Sequence, residues 1–411
     1  DAIININCTL ELQEPAQHSA ILFTGHRGCG KSTELRLLQR KWQQNFQVIY
    51  LESDKITDIN DIQYTDIYLL IAQYLEYEMR QLKIELNKKI VEDIEQWFAE
   101  VIEELQMSKD IEVAVAGEIT ISNSGLLPIP RLAKFLAKLN SQIKGSTKDK
   151  TTIRRVIEKD LSRLTTSINL LLHDAEKKLI KKKPGCKGLL LVFDNLDRCP
   201  PHVADKLFFD YAAQLQAIDC TIVYTVPIAS LYSSSGIAKT FDKPYIVSMV
   251  NIYQYEKNKP DLLTYQAKGL DSLVALLDKR IDVDRVFETR DILLEIVRAS
   301  GGHVRDLMKM VRQACLTAIG RKHTQVQADD ALYAINQAQF SFEREIPDTH
   351  YPIIAETFVE KRAPSNDLGQ DCLFYTYVLE YNGDRRWNYP HPTVIKIDAF
   401  QTALSQLQQQ P

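Results

Sequence analysis

One eight-residue stretch near the start of the chain, GHRGCGKS at positions 25–32, limits the folds open to this sequence. It matches the pattern GxxxxGK[ST], in which glycines let backbone N–H groups turn inward around a chain of phosphates. The apolar run at 20–23 predicts a short buried strand, and apolar residues at helical spacing over 33–42 predict a helix. A phosphate-binding loop requires this order, because the helix dipole then points at the bound charge. The sequence therefore predicts a nucleotide site within an α/β fold.

Several residues of this loop are predicted to bind the nucleotide, each in a different role. Lys31 is expected to reach the β- and γ-phosphates and to act in catalysis, while Ser32 is expected to bind Mg²⁺. The predicted nucleotide-binding set covers the loop and the first helical turn: Gly25, His26, Arg27, Gly28, Cys29, Gly30, Lys31, Ser32 and Thr33.

A second apolar run, at 189–193, ends in Asp194. A fully apolar run bounded by charge suits a central parallel strand that is buried on both faces. A phosphate-binding loop needs a carboxylate on a neighbouring strand to anchor its magnesium ion, so Asp194 is predicted to bind the metal. The position directly after Asp194, where an acidic residue could activate the attacking water, is Asn195, which cannot accept a proton. Asp197 is therefore the candidate general base. A structural role for Asp197, or one behind the direct metal ligands, remains an alternative.

The six residues DNLDRC at 194–199, followed by two prolines, resemble the DDLDRC signature of KAP-type P-loop ATPases. That family is grouped with the STAND and initiator-like AAA+ ATPases. The resemblance implies a P-loop NTPase core with a parallel sheet, a large helical insertion, a helical lid and a small C-terminal α+β module. It also implies ATP and Mg²⁺ as cofactors. The chain departs from the signature at Asn195, which bears on the rate of hydrolysis more than on binding.

The resemblance also implies two residues that sense the nucleotide. Thr225 ends the apolar run at 220–225, where AAA+ proteins place a polar sensor, although an ordinary strand-end threonine fits equally well. Arg305 begins the helix after the sequence SGGHV, where AAA+ lids carry an arginine that reaches the γ-phosphate. Its bidentate hydrogen bonds would exist only with the terminal phosphate present. A solvated helix arginine is the plainer alternative.

The chain is expected to divide into five parts. They are the P-loop half of the core at 1–63, a mostly helical insertion with a β-hairpin at 64–187, the Walker B half of the core at 188–262, a helical AAA+-type lid at 263–346 and a winged-helix-like module at 347–411. The insertion is interpreted as projecting from the ATPase, with its hairpin at 111–122, either as an arm that binds a protein partner or as a packed subdomain that caps the site. The Asn-Gly pair at 382–383 predicts a hairpin in the last module.

Composition excludes several classes of protein. A net charge of −4 provides no global attraction to nucleic acid or anionic lipid. The lysine-rich stretch at 177–187 is read as a solvated helix end, with nucleic-acid contact as the alternative. No apolar run is long enough for a membrane span, and the first residues do not form a secretory signal. The seven cysteines never form CxxC, so we expect a reducing, cytoplasmic location for a chain that starts without methionine and is read as trimmed.

The leading hypothesis is an ATP-dependent molecular switch, and the resemblance implies a role in bacterial defence or signalling. A DNA-associated loader or transposition-type regulator is the first alternative, disfavoured by the acidic balance. A nucleotide-binding scaffold with low turnover is the second, since Asn195 leaves room for slow hydrolysis. AAA+ enzymes usually complete their site with an arginine from a neighbouring subunit, so self-association is expected, with Arg198, Arg285 and Arg290 as unresolved donors.

Overall fold

The structure, a computed structural model, describes most of the chain: residues 2–15, 17–107, 147–233, 236, 240–256, 263–383 and 385–409. The hairpin predicted at 111–122 lies outside these residues. Among the helices in the described ranges, none combines the length and the apolar character that a membrane crossing requires.

A five-stranded parallel sheet forms the centre of the molecule, with strand order β2-β3-β4-β1-β5. The strands are β1 (Ala20–Gly25), β2 (Gln47–Glu52), β3 (Leu189–Asp194), β4 (Thr221–Pro227) and β5 (Tyr245–Val247). Every residue of β3 and β4 is buried, as expected for apolar strands covered on both faces. The predicted parallel sheet is confirmed, although β5 is shorter than the run predicted at 245–250.

Helices occupy most of the remaining described chain. Numbered in chain order, they are α1 (Ala2–Leu12), α2 (Lys31–Trp42), α3 (Ser53–Ile56), α4 (Tyr64–Gln81), α5 (Lys88–Met107), α6 (Thr147–Glu158), α7 (Leu161–Lys182), α8 (Pro201–Asp205), α9 (Ala212–Gln216), α10 (Ala267–Asp278), α11 (Val283–Val286), α12 (Arg290–Ala299), α13 (Val304–Gly320), α14 (Ala328–Glu345), α15 (Tyr351–Glu360), α16 (Asp367–Phe374), α17 (Pro392–Ile395) and α18 (Asp398–Gln408).

The two faces of the sheet are covered by different helices, because successive side chains of a strand point to opposite sides. On β3, Leu190 and Val192 belong to a cluster with α1 and α2, whereas Leu191 belongs to a larger cluster with α4 and α7. The sheet is therefore the middle layer of a three-layer α/β domain. Its parallel strands all end at one edge, where the phosphate-binding loop begins.

The expectation that the whole segment 64–187 projects from the core is wrong for its first and last helices. Most of α4 is buried, including Tyr68 and Leu75, and α7 places Leu171 in the same apolar cluster as the sheet. On α6, Lys150 lies 3.0 Å from Asp58, which anchors this helix beside the exit of β2. The described helices of this segment thus form a layer of the core.

The helices after the sheet pack into one continuous apolar cluster with the C-terminal module. The cluster runs from α10 to α18 and includes an antiparallel hairpin, β6 (Val378–Asn382) and β7 (Arg386–Pro390). The predicted hairpin is thereby confirmed. Because α10–α14 and the C-terminal elements share a core, the boundary proposed at 346–347 does not coincide with a break in packing. The winged-helix assignment stays a prediction.

Candidate functional site

The loop between β1 and α2 has the backbone of an anion-binding turn. The backbone φ angles are 151° at Gly25, 96° at Gly28 and 106° at Gly30, values that residues other than glycine rarely adopt. A methyl group on Gly25 would lie 2.7 Å from the carbonyl oxygen of Val247, so the loop also needs glycine for space. Gly30 provides no side-chain cap for α2. Among the described residues, no side chain therefore blocks the N-terminus of α2, where an anion can bind, although the N–H groups of Thr33 and Glu34 already donate to the carbonyl oxygen of Gly30.

Lys31 is the buried cation of the loop, with only 5% of its surface exposed. Its Nζ donates to the carbonyl oxygens of Gly25 and His26, each at 2.8 Å, and lies 2.9 Å from Oδ2 of Asp197. A buried ammonium group requires such acceptors, because desolvation without them is costly. The structure thus brings two predicted catalytic residues, one from each half of the core, into direct contact.

Asp194 lies at the end of β3, buried and held on both of its oxygens. The hydroxyl of Tyr50 donates to Oδ2 at 2.7 Å, and the backbone N–H of Asn195 donates to Oδ1 at 2.8 Å. Burial, together with the neighbouring carboxylate, raises the pKa of Tyr50, so its phenol remains a donor. Each carboxylate oxygen keeps a free lone pair for a cation, and oxygen atoms are the ligands that Mg²⁺ prefers.

The turn after Asp194 is braced by a threonine on the next strand. Thr225 is fully buried; its hydroxyl donates to the carbonyl oxygen of Phe193 at 3.0 Å. It accepts from the N–H groups of Leu196, at 2.9 Å, and Asp197, at 3.4 Å. The donor of this hydroxyl is therefore already used within the protein. The geometry favours a positioning role for Thr225, and a direct sensing contact with nucleotide stays a prediction.

Asn195 itself adopts a left-handed backbone conformation, with φ of 68°. Asparagine tolerates this region better than most residues. Its Nδ2 donates to Oδ1 of Asp54 at 2.7 Å, and Arg198 donates to the other oxygen of Asp54 at 2.5 Å. The side chain that replaces the second aspartate of the signature is thus directed to α3. Arg198, one of the three candidate donors to a neighbouring subunit, is engaged within its own chain.

The start of α13 packs directly on the phosphate-binding loop. A methyl group on Gly28 would lie 2.6 Å from Cβ and 2.9 Å from Nε of Arg305. Next to it, Nε2 of His303 lies 2.5 Å from the carbonyl oxygen of Arg27, and Nδ1 lies 2.6 Å from Asp306. Because the acceptor is a carbonyl, Nε2 of His303 carries the hydrogen. The structure therefore brings Arg305, a residue predicted from the lid, to the loop.

The C-terminal module contacts the same loop through His26. The backbone N–H of Glu380, on β6, donates to Nε2 of His26 at 2.7 Å. Burial holds the pKa of His26 well below its ordinary value, so the ring stays neutral and can accept. The hydroxyl of Tyr232, at the exit of β4, also donates to the buried carboxylate of Glu380. The hairpin is thus docked on the edge of the sheet that carries the site.

A cavity of about 440 Å³ lies beside the loop, between α13, α14 and α16. Its wall includes Arg27, Arg305 and Lys309. The guanidinium of Arg27 lies 5.5 Å from the ring centroid of Phe374, and burial lowers its pKa from the ordinary value. Neither arginine has a carboxylate partner among the described residues. The cavity therefore carries two arginines without an ion-pair partner in the described part of the chain, together with the carboxylates of Asp306 and Glu345.

The remaining predicted residues lie on the loop and the first turn of α2. Ser32 and Thr33 are exposed, so their side chains are accessible to a ligand. Burial raises the pKa of the Cys29 thiol, which makes this cysteine a poor nucleophile. Several contacts were not predicted, among them those of His303 with the loop, Asp54 with Asn195, and Glu380 with His26. The histidine before Arg305 is the one signal that could have been found, because SGGHV already marked a helix start.

The model of the KAP family P-loop domain matches residues 2–213. No curated protein matches the chain. Similar solved structures include Cdc6p from Pyrobaculum aerophilum, at 12% identity over 98% of this chain and 93% of that one, with a TM-score of 0.38. Another is the ORC2 protein from Aeropyrum pernix in ADPNP-ADP complexes, at 11% identity over 99% and 92%, with a TM-score of 0.39. Both TM-scores are low, so these likenesses carry no argument about function.

Proposed function

The chain belongs to the KAP family of P-loop NTPases, and from that premise we propose that it is a switch that binds and hydrolyses Mg·ATP. One observation carries the proposal. The buried Lys31 of the glycine loop contacts Asp197 of the turn that follows Asp194, so the phosphate cradle and the carboxylates form one site.

In this proposal the triphosphate lies against the amides of the loop and the N-terminus of α2. The positive end of the helix dipole and the ammonium of Lys31 would stabilise the β- and γ-phosphates. Lys31 now pairs with Asp197 at 2.9 Å. An incoming phosphate competes for this ammonium group, and the carboxylate of Asp197 is released as Lys31 moves toward the ligand.

Ser32 and Asp194 would hold the magnesium ion, which neutralises charge on the terminal phosphates when bound. The exposed hydroxyl of Ser32 and the carboxylate of Asp194 are hard oxygen donors, as this ion requires. Tyr50 keeps the carboxylate oriented by donating to its Oδ2.

Hydrolysis needs a group that orients the attacking water. Asn195 cannot provide it, because its side chain is an amide that donates to Asp54. Asp197 has the required carboxylate, which contacts Lys31 of the glycine loop. The backbone N–H of Asp197 donates to the hydroxyl of Thr225, which helps to hold this residue in place. We therefore assign the general base to Asp197, acting once Lys31 has turned to the phosphate.

The switch would operate through the two elements that cover the loop. Arg305 lies over Gly28 and has no carboxylate partner among the described residues, so a terminal phosphate can recruit it. His303 links the same helix to the carbonyl of Arg27, and Glu380 links the C-terminal hairpin to His26. A change in the loop on hydrolysis would thus reach both elements.

Self-association and a protein partner at 64–187 remain part of the proposal, together with a role in defence or signalling, which is supported by the family resemblance alone. Of the three candidate arginines, Arg290 lies 3.1 Å from Asp271 and Arg198 pairs with Asp54. Arg285 is exposed, and no ion pair of its side chain occurs among the described residues. It is therefore the least engaged of the three and the first to test as a donor to a neighbouring subunit.

Binding of Mg·ATP to the purified chain tests the proposal. Lys31→Ala should weaken the affinity about 10- to 100-fold, the range for a charge-assisted contact, and abolish turnover. Lys41→Ala, on the same helix but exposed, is the matched control and should behave like the parent. Ser32→Ala removes an exposed side chain and should reduce only the magnesium-dependent part of the affinity. A parent chain that ignores ATP, or a Lys31→Ala chain that binds it equally well, contradicts the proposal.

A further inference from the structure

A second cluster of ligand-type side chains lies at the opposite edge of the sheet. His18 precedes β1, His173 lies on α7, and Asp219 precedes β4. Each offers one ligand atom, and these atoms all lie within 4.8 Å of one another. Because β1 and β4 are parallel, their starts lie at the edge away from the phosphate-binding loop. The nucleotide site therefore does not account for this cluster.

The geometry of the cluster is set by the fold. The two imidazole rings are stacked, with centroids 6.0 Å apart and planes at 14°. Nε2 of His173 lies 3.1 Å from Oδ2 of Asp219, and Nε2 of His18 lies 3.0 Å from Oε2 of Glu176. Glu176 is buried, and its other oxygen accepts from the backbone of Leu189 at 3.0 Å, which fixes its position.

Solvent can reach this cluster. The side chain of His18 is 20% exposed, that of His173 is 50% exposed and that of Asp219 is 45% exposed. An ion could therefore enter from solution without rearrangement of the core.

The carboxylates of the cluster are paired with histidines and not with lysine or arginine among the described residues. Within the described part of the chain, no lysine or arginine pairs with Asp219 or Glu176, so two carboxylates face two imidazoles. Another group of residues, His323 with Asp329 and Asp330, has a similar composition. There, however, Arg321 lies 2.8 Å and 2.9 Å from the two aspartates and supplies the positive charge. A cation is thus disfavoured at the cluster around His323 and favoured at the cluster of His18, His173 and Asp219.

We propose that His18, His173 and Asp219 bind a divalent transition-metal ion of the zinc class. Imidazole nitrogens with one carboxylate are a preferred set for such ions, whereas Mg²⁺ prefers oxygen ligands alone. Glu176 or water would complete the coordination. The ion would link three parts of the chain: the segment before β1, the helix α7 and the segment before β4. Its expected effect is to stabilise the packing of α7 against the sheet.

Titration of the nucleotide-free chain with Co²⁺, followed by visible absorption, tests the site. We expect one equivalent to bind with the spectrum of nitrogen and oxygen ligands and without a sulfur-to-cobalt charge-transfer band. Zn²⁺ at about 100 times its dissociation constant should raise the unfolding temperature by a few degrees. His173→Ala and Asp219→Asn change exposed side chains and should abolish both effects, while His323→Ala, the matched control, should retain them.

Equal binding by the parent and His173→Ala would overturn the proposal, and so would a thiolate band, which would place the ion on cysteines. Because no nucleotide is present, neither result bears on the proposed ATPase.

Discussion

The backbone N–H of Glu380 donates to Nε2 of His26 at 2.7 Å, joining two residues that lie 354 positions apart in the chain. His26 belongs to the glycine loop, and the adjacent residue of that loop, Arg27, accepts from His303, which directly precedes α13. Consecutive residues of the phosphate-binding loop are thus held by two separate elements. A movement of the loop relative to α13 or to the C-terminal hairpin would therefore strain one of these hydrogen bonds.

His26→Ala should release the hairpin from the loop. Removal of the acceptor leaves the buried N–H of Glu380 unpaired, which costs about 1–3 kcal/mol. Amide exchange over β6 should therefore accelerate about tenfold or more, as measured by hydrogen–deuterium exchange. His26→Gln places a carbonyl oxygen near the position of Nε2 and should keep much of the protection. Equal exchange in the parent and the alanine variant would show that this bond does not hold the hairpin.

Asp197→Asn should separate binding from turnover. The substitution removes the negative charge 2.9 Å from Lys31, so ATP should bind as tightly as before or more tightly. Turnover should fall about 100-fold or more, because the proposed general base is lost. Nucleotide affinity and phosphate release, measured on the same preparation, check this prediction. Asp210→Asn, an exposed change further along the chain, serves as the control. Unchanged turnover in Asp197→Asn would limit this residue to pairing with Lys31.

Thr225→Val should loosen the turn that carries Asp197 without changing the size of the buried side chain. The N–H of Leu196 would lose its acceptor, so the free energy of unfolding should fall by about 1–3 kcal/mol. Turnover should fall as well, because the turn positions the carboxylate. Thr225→Ser keeps the hydroxyl and should retain most of the activity. Chemical denaturation and single-turnover assays check the two effects, and a valine variant with parental turnover would remove Thr225 from the site.

The chain should lose stability below neutral pH, in part through His391. Burial lowers the pKa of His391 to about 4, although Asp306 nearby opposes the shift. The unfolded chain binds this proton below about pH 6.5, so stability falls as the pH drops through the window from 6.5 to about 4. The cost at pH 5 is about 2 kcal/mol for this group.

His391→Asn isolates that contribution. The ring of His391 caps α17 by accepting from the N–H of Thr393, and asparagine is a strong capping residue. The variant should therefore be folded at pH 7 and lose less stability than the parent between pH 7 and pH 5. Urea denaturation at both pH values measures the difference. Parallel losses in the two chains would show that His391 is already charged in the folded state.

The predictable parts of this architecture are those that depend on residues close together in the sequence. The glycine loop and the apolar strands place Lys31 and Asp194 in order, since strand, turn and helix follow from neighbouring residues. The partner of Lys31 could not be read in this way, because the contact with Asp197 depends on how β4 separates β1 from β3 in the sheet. The long-range contact of Glu380 is made by a backbone N–H, which has no side-chain signature at all.

The segment at 64–187 shows a second limit. The sequence indicated a mostly helical segment, but a helix that covers a sheet and a helix that packs in a separate arm can present the same apolar stripe. Tyr68 and Leu171 are both fully buried against the sheet cluster, and nothing in their spacing identifies that partner. The distinction depends on which surface is covered, which is a property of the tertiary structure.

Asp54 connects the turn after Asp194 to other parts of the chain. It lies on α3, directly after β2, and receives hydrogen bonds from Asn195 and Arg198. Four residues later, Asp58 pairs with Lys150 of α6. A force on α6 would therefore be transmitted through a few polar contacts to Asn195, the residue next to Asp194. In the ATPase that we propose, a load on α6 would thereby act on the segment that carries the expected metal ligand.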